Sequence, residues 1–139
     1  QFPWTRREEQ EIRAQAMEAL EFVGLADRSR QSAAVLPLGL KRMLEIARAL
    51  ALAPTLLLLD EPASGLDAVE TERLQDLILE LRRQGITTLL VEHDMGLTME
   101  VADEIAVLNY GKLIADGPPR AIQKNPEVIA AYLGTDWQT

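Results

Sequence analysis

Four leucines, Leu56 to Leu59, run straight into Asp60, Glu61 and Pro62. A continuous apolar run suits a strand buried on both faces of a parallel sheet. Ligands of open α/β sheets collect at the carboxyl ends of such strands. Asp60 and Glu61 are therefore placed where a nucleotide and its metal could be met. One carboxylate can help hold Mg²⁺ and the next can polarise a water. The same residues also fit an ordinary core strand that ends in a solvated acidic turn.

The surrounding pattern alternates helix and strand. Ile12, Ala16, Leu20 and Val23 recur at helical spacing and predict an amphipathic helix from about Arg7 to Val23, ended by Gly24. Ala26 to Val35 is polar and irregular, with Pro37 as a breaker. A second helix is predicted from Leu40 to Leu52, stopping before Pro54. Leu74, Leu77, Ile78 and Leu81 mark a third, from about Ala68 to Arg83. Gly85 ends it, and Ile86 to Val91 is β-branched and apolar enough for another buried strand. Helix then strand, repeated, is the grammar of βαβ units. Met95 to Ala102 reads as a short helix. Glu104–Leu108 and Lys112–Ala115 read as a hairpin around Asn109-Tyr110-Gly111. Pro118 and Pro119 open a short helix, and Asn125-Pro126 the last one.

At 139 residues the chain suits one domain at most. A net charge of −8 argues against a nucleic-acid or anionic-membrane surface. With no cysteine there is no disulfide framework and no thiolate metal site. No apolar run reaches spanning length; the longest, Ala49 to Leu59, is broken by Pro54 and Thr55. Gln1 carries neither a signal-peptide pattern nor an initiating Met, so a piece of a longer protein is expected.

Gly39 lies beside a predicted helix start, where backbone N–H groups can face an anion; a plain helix cap is the alternative. Asp67 can N-cap the helix beginning at Ala68. His93 is the sole histidine, and a lone His is more often a structural polar group than a catalytic one. Glu92, His93 and Asp94 cannot all converge on one ion without a turn, because neighbours on an extended strand face opposite ways. No Gly-x-x-x-x-Gly-Lys-[Ser/Thr] occurs; the Gly111-Lys112 pair is followed by Leu113.

Leu36-Pro37-Leu38-Gly39-Leu40 before the second helix, Asp60-Glu61-Pro62, Ser64-Gly65-Leu66-Asp67 and Glu92-His93-Asp94 follow one another at telling distances. In this order the chain resembles the C-terminal half of an ABC-transporter ATPase domain, from about Ala16 to about Gly134. Glu92-His93-Asp94-Met95, Asn109-Tyr110-Gly111-Lys112 and Asn125-Pro126-Glu127-Val128-Ile129 are similar to its branched-chain amino-acid uptake branch. The resemblance implies an α/β fold: a partial RecA-like (P-loop NTPase) core with a mainly parallel sheet, preceded by the end of a helical subdomain. Residues 1–53 would end the helical subdomain, 54–117 form the core and 118–139 a helical tail.

The resemblance also implies roles. Leu36 and Gly39 would belong to the signature loop, which contacts the γ-phosphate of ATP held by a second subunit. The usual pattern is Leu-Ser-Gly-Gly-Gln; here Pro37, Leu38 and Leu40 replace its Ser, first Gly and Gln. Asp60 would coordinate Mg²⁺, and Glu61 would be the general base. Asp67 would sit at the subunit interface in the D-loop. His93 would contact the γ-phosphate. ATP and Mg²⁺ are the implied cofactors of the full-length parent. Its implied partners are a second ATPase subunit, head to tail, and membrane permease subunits, at the cytoplasmic face of the membrane. The phosphate loop belongs to the N-terminal half of such a domain. Without the strand that precedes that loop, the fragment is expected to self-associate. Two other readings stand beside this one: a non-catalytic interaction or structural fragment that cannot bind ATP alone, and a metal-dependent hydrolase using Asp60, Glu61 and His93.

Overall fold

The computed structural model describes residues 6–133. The outermost parts of the expected first and last subdomains, residues 1–5 and 134–139, lie outside the described residues. The chain divides into two compact units, Gln1–Leu90 and Val91–Thr139.

The first unit opens with α1 (Arg6–Phe22), which carries Glu8 and Glu9 in its first turn, where the helix dipole favours negative charge. Gly24 follows at φ +73°, a conformation that closes a helix most readily on glycine. The predicted apolar stripe is only partly used. Ala19 is buried, but Ile12 is 58% exposed, because α1 packs against the next helix, α2 (Leu38–Leu50), through its C-terminal turns. Helix α2 begins two residues before the predicted Leu40, so Gly39 lies inside its first turn rather than ahead of it. Pro37, the N-cap, explains this: its fixed φ of −55° leads into a helix and it needs no N–H partner. Gly39, Met43, Ile46 and Ala47 form the buried stripe of α2 at helical spacing.

Strand β1 (Leu56–Asp60) follows as predicted, but it is not buried on both faces. Leu57 and Leu59 are buried, whereas Leu56 and Leu58 are 52% and 65% exposed. The strand therefore alternates, because the described residues cover one face of its sheet only. Helix α3 (Ala68–Arg83) has the predicted bounds and buries Leu74, Leu77, Ile78 and Leu81. Gly85, at φ +80°, turns the chain into β2 (Thr87–Val91). β2 pairs with β1 as a parallel neighbour across the α3 crossover, and the N–H of Thr87, the first residue of β2, donates to the carbonyl of Thr55, just ahead of β1, at 3.0 Å.

The second unit holds α4 (Met95–Val101) and the antiparallel hairpin of β3 (Ile105–Asn109) and β4 (Lys112–Gly117). Asn109 pairs with Lys112, leaving Tyr110 and Gly111 as a two-residue turn. Both have positive φ, 47° and 74°, as a type I′ turn demands. The register slips between Val107 and Leu108, a bulge that bends the hairpin. Short helices α5 (Pro119–Ile122) and α6 (Pro126–Val128) follow, and α6 runs on into a π-helical turn at Ile129–Leu133. Ile105, Val107, Ala115, Ile122 and Val128 form this unit's core, with Met95, Met99 and Ala102 packed against it. The Tyr132 hydroxyl donates to the Leu108 carbonyl, tying the tail to β3.

Candidate functional site

In the first unit the two carboxylates of interest stand at the carboxyl end of β1, both exposed. Asp60 closes the strand and Glu61 leaves it at φ +44°. A non-glycine residue rarely adopts positive φ, and the residue before a proline is biased toward extended backbone. The Ser64 N–H donates to the Glu61 carbonyl at 3.1 Å, so a turn follows at once and Glu61 is aimed away from the strand. A cavity of about 180 Å³ opens beside Asp60, between β1 and α2. Arg42 borders it; its Nε is buried without a partner, while Nη1 pairs with Glu45 at 3.1 Å.

Mg²⁺ usually takes one or two protein carboxylates and completes its octahedron with water and phosphate oxygens. An exposed Asp60 at a strand end is a donor of that kind. A dedicated cage is a different matter: no group of three or more His, Cys, Asp or Glu that could hold a metal ion occurs among the described residues.

Leu36 is buried and precedes the N-cap Pro37, which makes no side-chain capping hydrogen bond. The first N–H groups of α2 are thus left without an intrahelical acceptor. Gly39 is buried against α3: a Cβ built on it would lie 2.1 Å from Glu70 Oε1. Asp67 is the N-cap of α3, with Oδ1 accepting from the Glu70 N–H at 2.8 Å. Glu70 Oε2 in turn accepts from the Asp67 N–H at 3.1 Å, completing a capping box. Asp67 therefore fills the capping role that its position suggested.

The second unit holds His93, whose side chain is 68% exposed, next to Glu92, whose side chain is fully buried. Glu92 Oε2 accepts from the backbone N–H of His93 at 3.0 Å and of Asp94 at 3.3 Å. It also lies 3.8 Å from His93 Nδ1. Asp94 Oδ1 accepts from the Leu97 N–H at 3.0 Å and N-caps α4. Glu92 and Asp94 thus both turn to backbone donors. The structure brings Gly39 and Asp67 together through Glu70, and joins Asp60 to Glu61 by sequence. The ordering parts of Glu70 and Glu92 were missed in sequence; the Asp67-x-x-Glu70 spacing was a legible signal for the first, and nothing comparable marked the second.

The fold and the strand-end carboxylates meet known proteins at this point. Residues 1–64 match the family described as ABC transporter, and residues 112–137 match that described as branched-chain amino acid ATP-binding cassette transporter. By these matches the chain is similar to the ATP-binding-cassette family. Within it, the chain is 47% identical over 133 residues to the high-affinity branched-chain amino acid transport ATP-binding protein BraF of Pseudomonas aeruginosa, covering 95% of this chain and 52% of the relative. The corresponding LivG protein of Escherichia coli K12 gives the same identity and coverage. Among solved structures, the ADP conformation of MJ1267, an ATP-binding cassette of an ABC transporter, superposes with a TM-score of 0.81 at 30% identity over 89% of this chain and 50% of that one. Part of the cbiONQ transporter complex, cbiO1 of Clostridium perfringens, gives 0.78 at 31% identity, covering 88% of this chain and 49% of that one. The chain spans about half the length of the curated relatives it matches. No helix of the described residues is long and apolar enough to cross a membrane.

Proposed function

We propose that this chain is the catalytic C-terminal part of an ATP-hydrolysing subunit of an importer for branched-chain amino acids. The exposed Asp60–Glu61 pair at the end of a parallel strand carries the reading, with Glu61 turned out of the strand by its positive φ. Asp60 would hold Mg²⁺, which supplies charge neutralisation on the phosphates when bound. Glu61 would accept a proton from, or orient, the attacking water. Leu36, Gly39 and the orphan N–H groups at the start of α2 would face the γ-phosphate of ATP carried by a second subunit, with Asp67 beside that interface. His93, exposed and backed by the Glu92-held turn, would stabilise charge developing on the γ-phosphate that this water attacks. Closure and reopening of two such subunits, head to tail, would drive membrane permease partners from the cytoplasmic face.

The match covers 52% of the relative, and the phosphate-cradling lysine motif absent from this sequence would come from a preceding half. The test joins this chain to the N-terminal half of the Pseudomonas aeruginosa relative. The chimera is expected to hydrolyse Mg-ATP, whereas the chain alone shows no submicromolar ATP binding by titration calorimetry. Tight ATP binding by the chain alone, or an inert but well-folded chimera, contradicts the proposal.

A further inference from the structure

We propose that Glu70 is a positioning residue: its carboxylate latches the start of α2 to the turn that leads into α3. Two close approaches join these segments. The first is at Gly39, where an added Cβ would lie 2.1 Å from Glu70 Oε1, 2.4 Å from Cδ and 3.0 Å from Cγ. The second is at Gly65, where an added Cβ would lie 2.9 Å from Leu38 Cδ2. Glycine at 65 is also required by its φ of +78°. Gly39 has no such backbone reason, since it sits in the first turn of a helix, where glycine is a poor former. Its reason is steric: the space a side chain would use is filled by Glu70.

A glutamate tip usually moves aside cheaply. Here it is held, because Oε2 accepts from the Asp67 N–H at 3.1 Å while the Glu70 N–H donates to Asp67 Oδ1 at 2.8 Å. Displacing Oε1 from Gly39 therefore breaks half of the cap of α3. One side chain thus fixes the spacing between Leu36–Gly39 and Asp67. Its catalytic consequence rests on the proposed function, in which the first segment meets ATP held by a second subunit and Asp67 lies beside that interface. A loosened latch would leave ATP binding to the subunit's own phosphate loop unchanged and slow the step that needs both segments in register.

Two experiments decide this. The first is a double-substitution cycle in equilibrium unfolding of the chain. Gly39→Ala alone is expected to lower the folding constant roughly fivefold, the cost of a lost cap. In a Glu70→Ala background the same change is expected to raise it about twofold to fivefold, because Ala then brings only its helix preference. An effect of the same sign in both backgrounds overturns the latch. The second is ATP turnover by the completed chimeric subunit. Glu70→Ala is expected to lower kcat about tenfold with KM for ATP within about twofold, and Glu70→Gln, which keeps the capping oxygen, to restore it. Unchanged kcat in Glu70→Ala overturns the positioning role. A wild-type chimera without turnover contradicts the proposed function instead, and the sign reversal in the cycle still decides the latch.

Discussion

Glu61 sits at φ +44° immediately before Pro62, where a side chain with a Cβ is strained. Such strain is of the order of 1–3 kcal/mol and clusters at functional sites. Ala53, before Pro54, has a similar φ of 48°, so the strain alone does not distinguish Glu61; its position at the carboxyl end of β1 does. Glu92 supports its neighbour differently, since its buried carboxylate orders the backbone N–H groups of His93 and Asp94. Glu92→Ala should destabilise that turn by about 1.5–3 kcal/mol, the worth of hydrogen bonds to a charged group. Glu92→Gln, which keeps an acceptor oxygen, should cost far less. Amide hydrogen exchange at His93 and Asp94 measures both; equal protection in Glu92→Ala and wild type would show that the carboxylate orders nothing. In the completed subunit, His93→Ala should cut ATP turnover by about a hundredfold, in the range of a lost transition-state donor. Normal turnover would return His93 to a structural role.

Elements were legible wherever one period dominated. Leu74, Leu77, Ile78 and Leu81 marked α3 to its ends, since Asp67 and Gly85 also supplied its cap and its stop. The start of α2 was misplaced because Pro37 read as a breaker and Gly39 as a residue just ahead of the helix, whereas proline suits a helix entrance and Gly39 makes room for Glu70. The leucine run correctly marked β1 but overstated its burial, because four apolar residues in a row do not say how many layers cover a sheet. The strand-end carboxylates were legible from composition and order, while the hydrogen bonds of Glu92 depend on a turn that no local pattern encodes. Burial then sets mutational cost. Leu74→Ala, at a fully buried position, should destabilise by about 2–5 kcal/mol. Leu58→Ala, at a site 65% exposed, should change stability by less than about 0.5 kcal/mol. Urea midpoints check the contrast, and similar shifts for the two would contradict the one-sided packing of β1.

At the scale of the molecule, Leu56, Leu58, Leu89 and Val91 are each more than half exposed on a two-stranded sheet. An uncovered apolar strand face and its open edge invite pairing with another chain. The chain alone should therefore self-associate in light scattering across a concentration series, despite a net charge of −8 that opposes it. The chimera, in which a preceding half covers the sheet, should not associate without ATP; a strictly monomeric chain would contradict the need for that cover. The role of this chain as the catalytic part of a cassette is tested most directly by Glu61→Gln in the completed subunit. The substitution keeps the shape of the side chain and leaves Asp60 untouched, so Mg-ATP should still bind. Steady turnover should fall by roughly two to four orders of magnitude, the contribution of a positioned base, while ATP-bound dimers accumulate. Turnover at the wild-type rate would show that Glu61 is not the catalytic carboxylate.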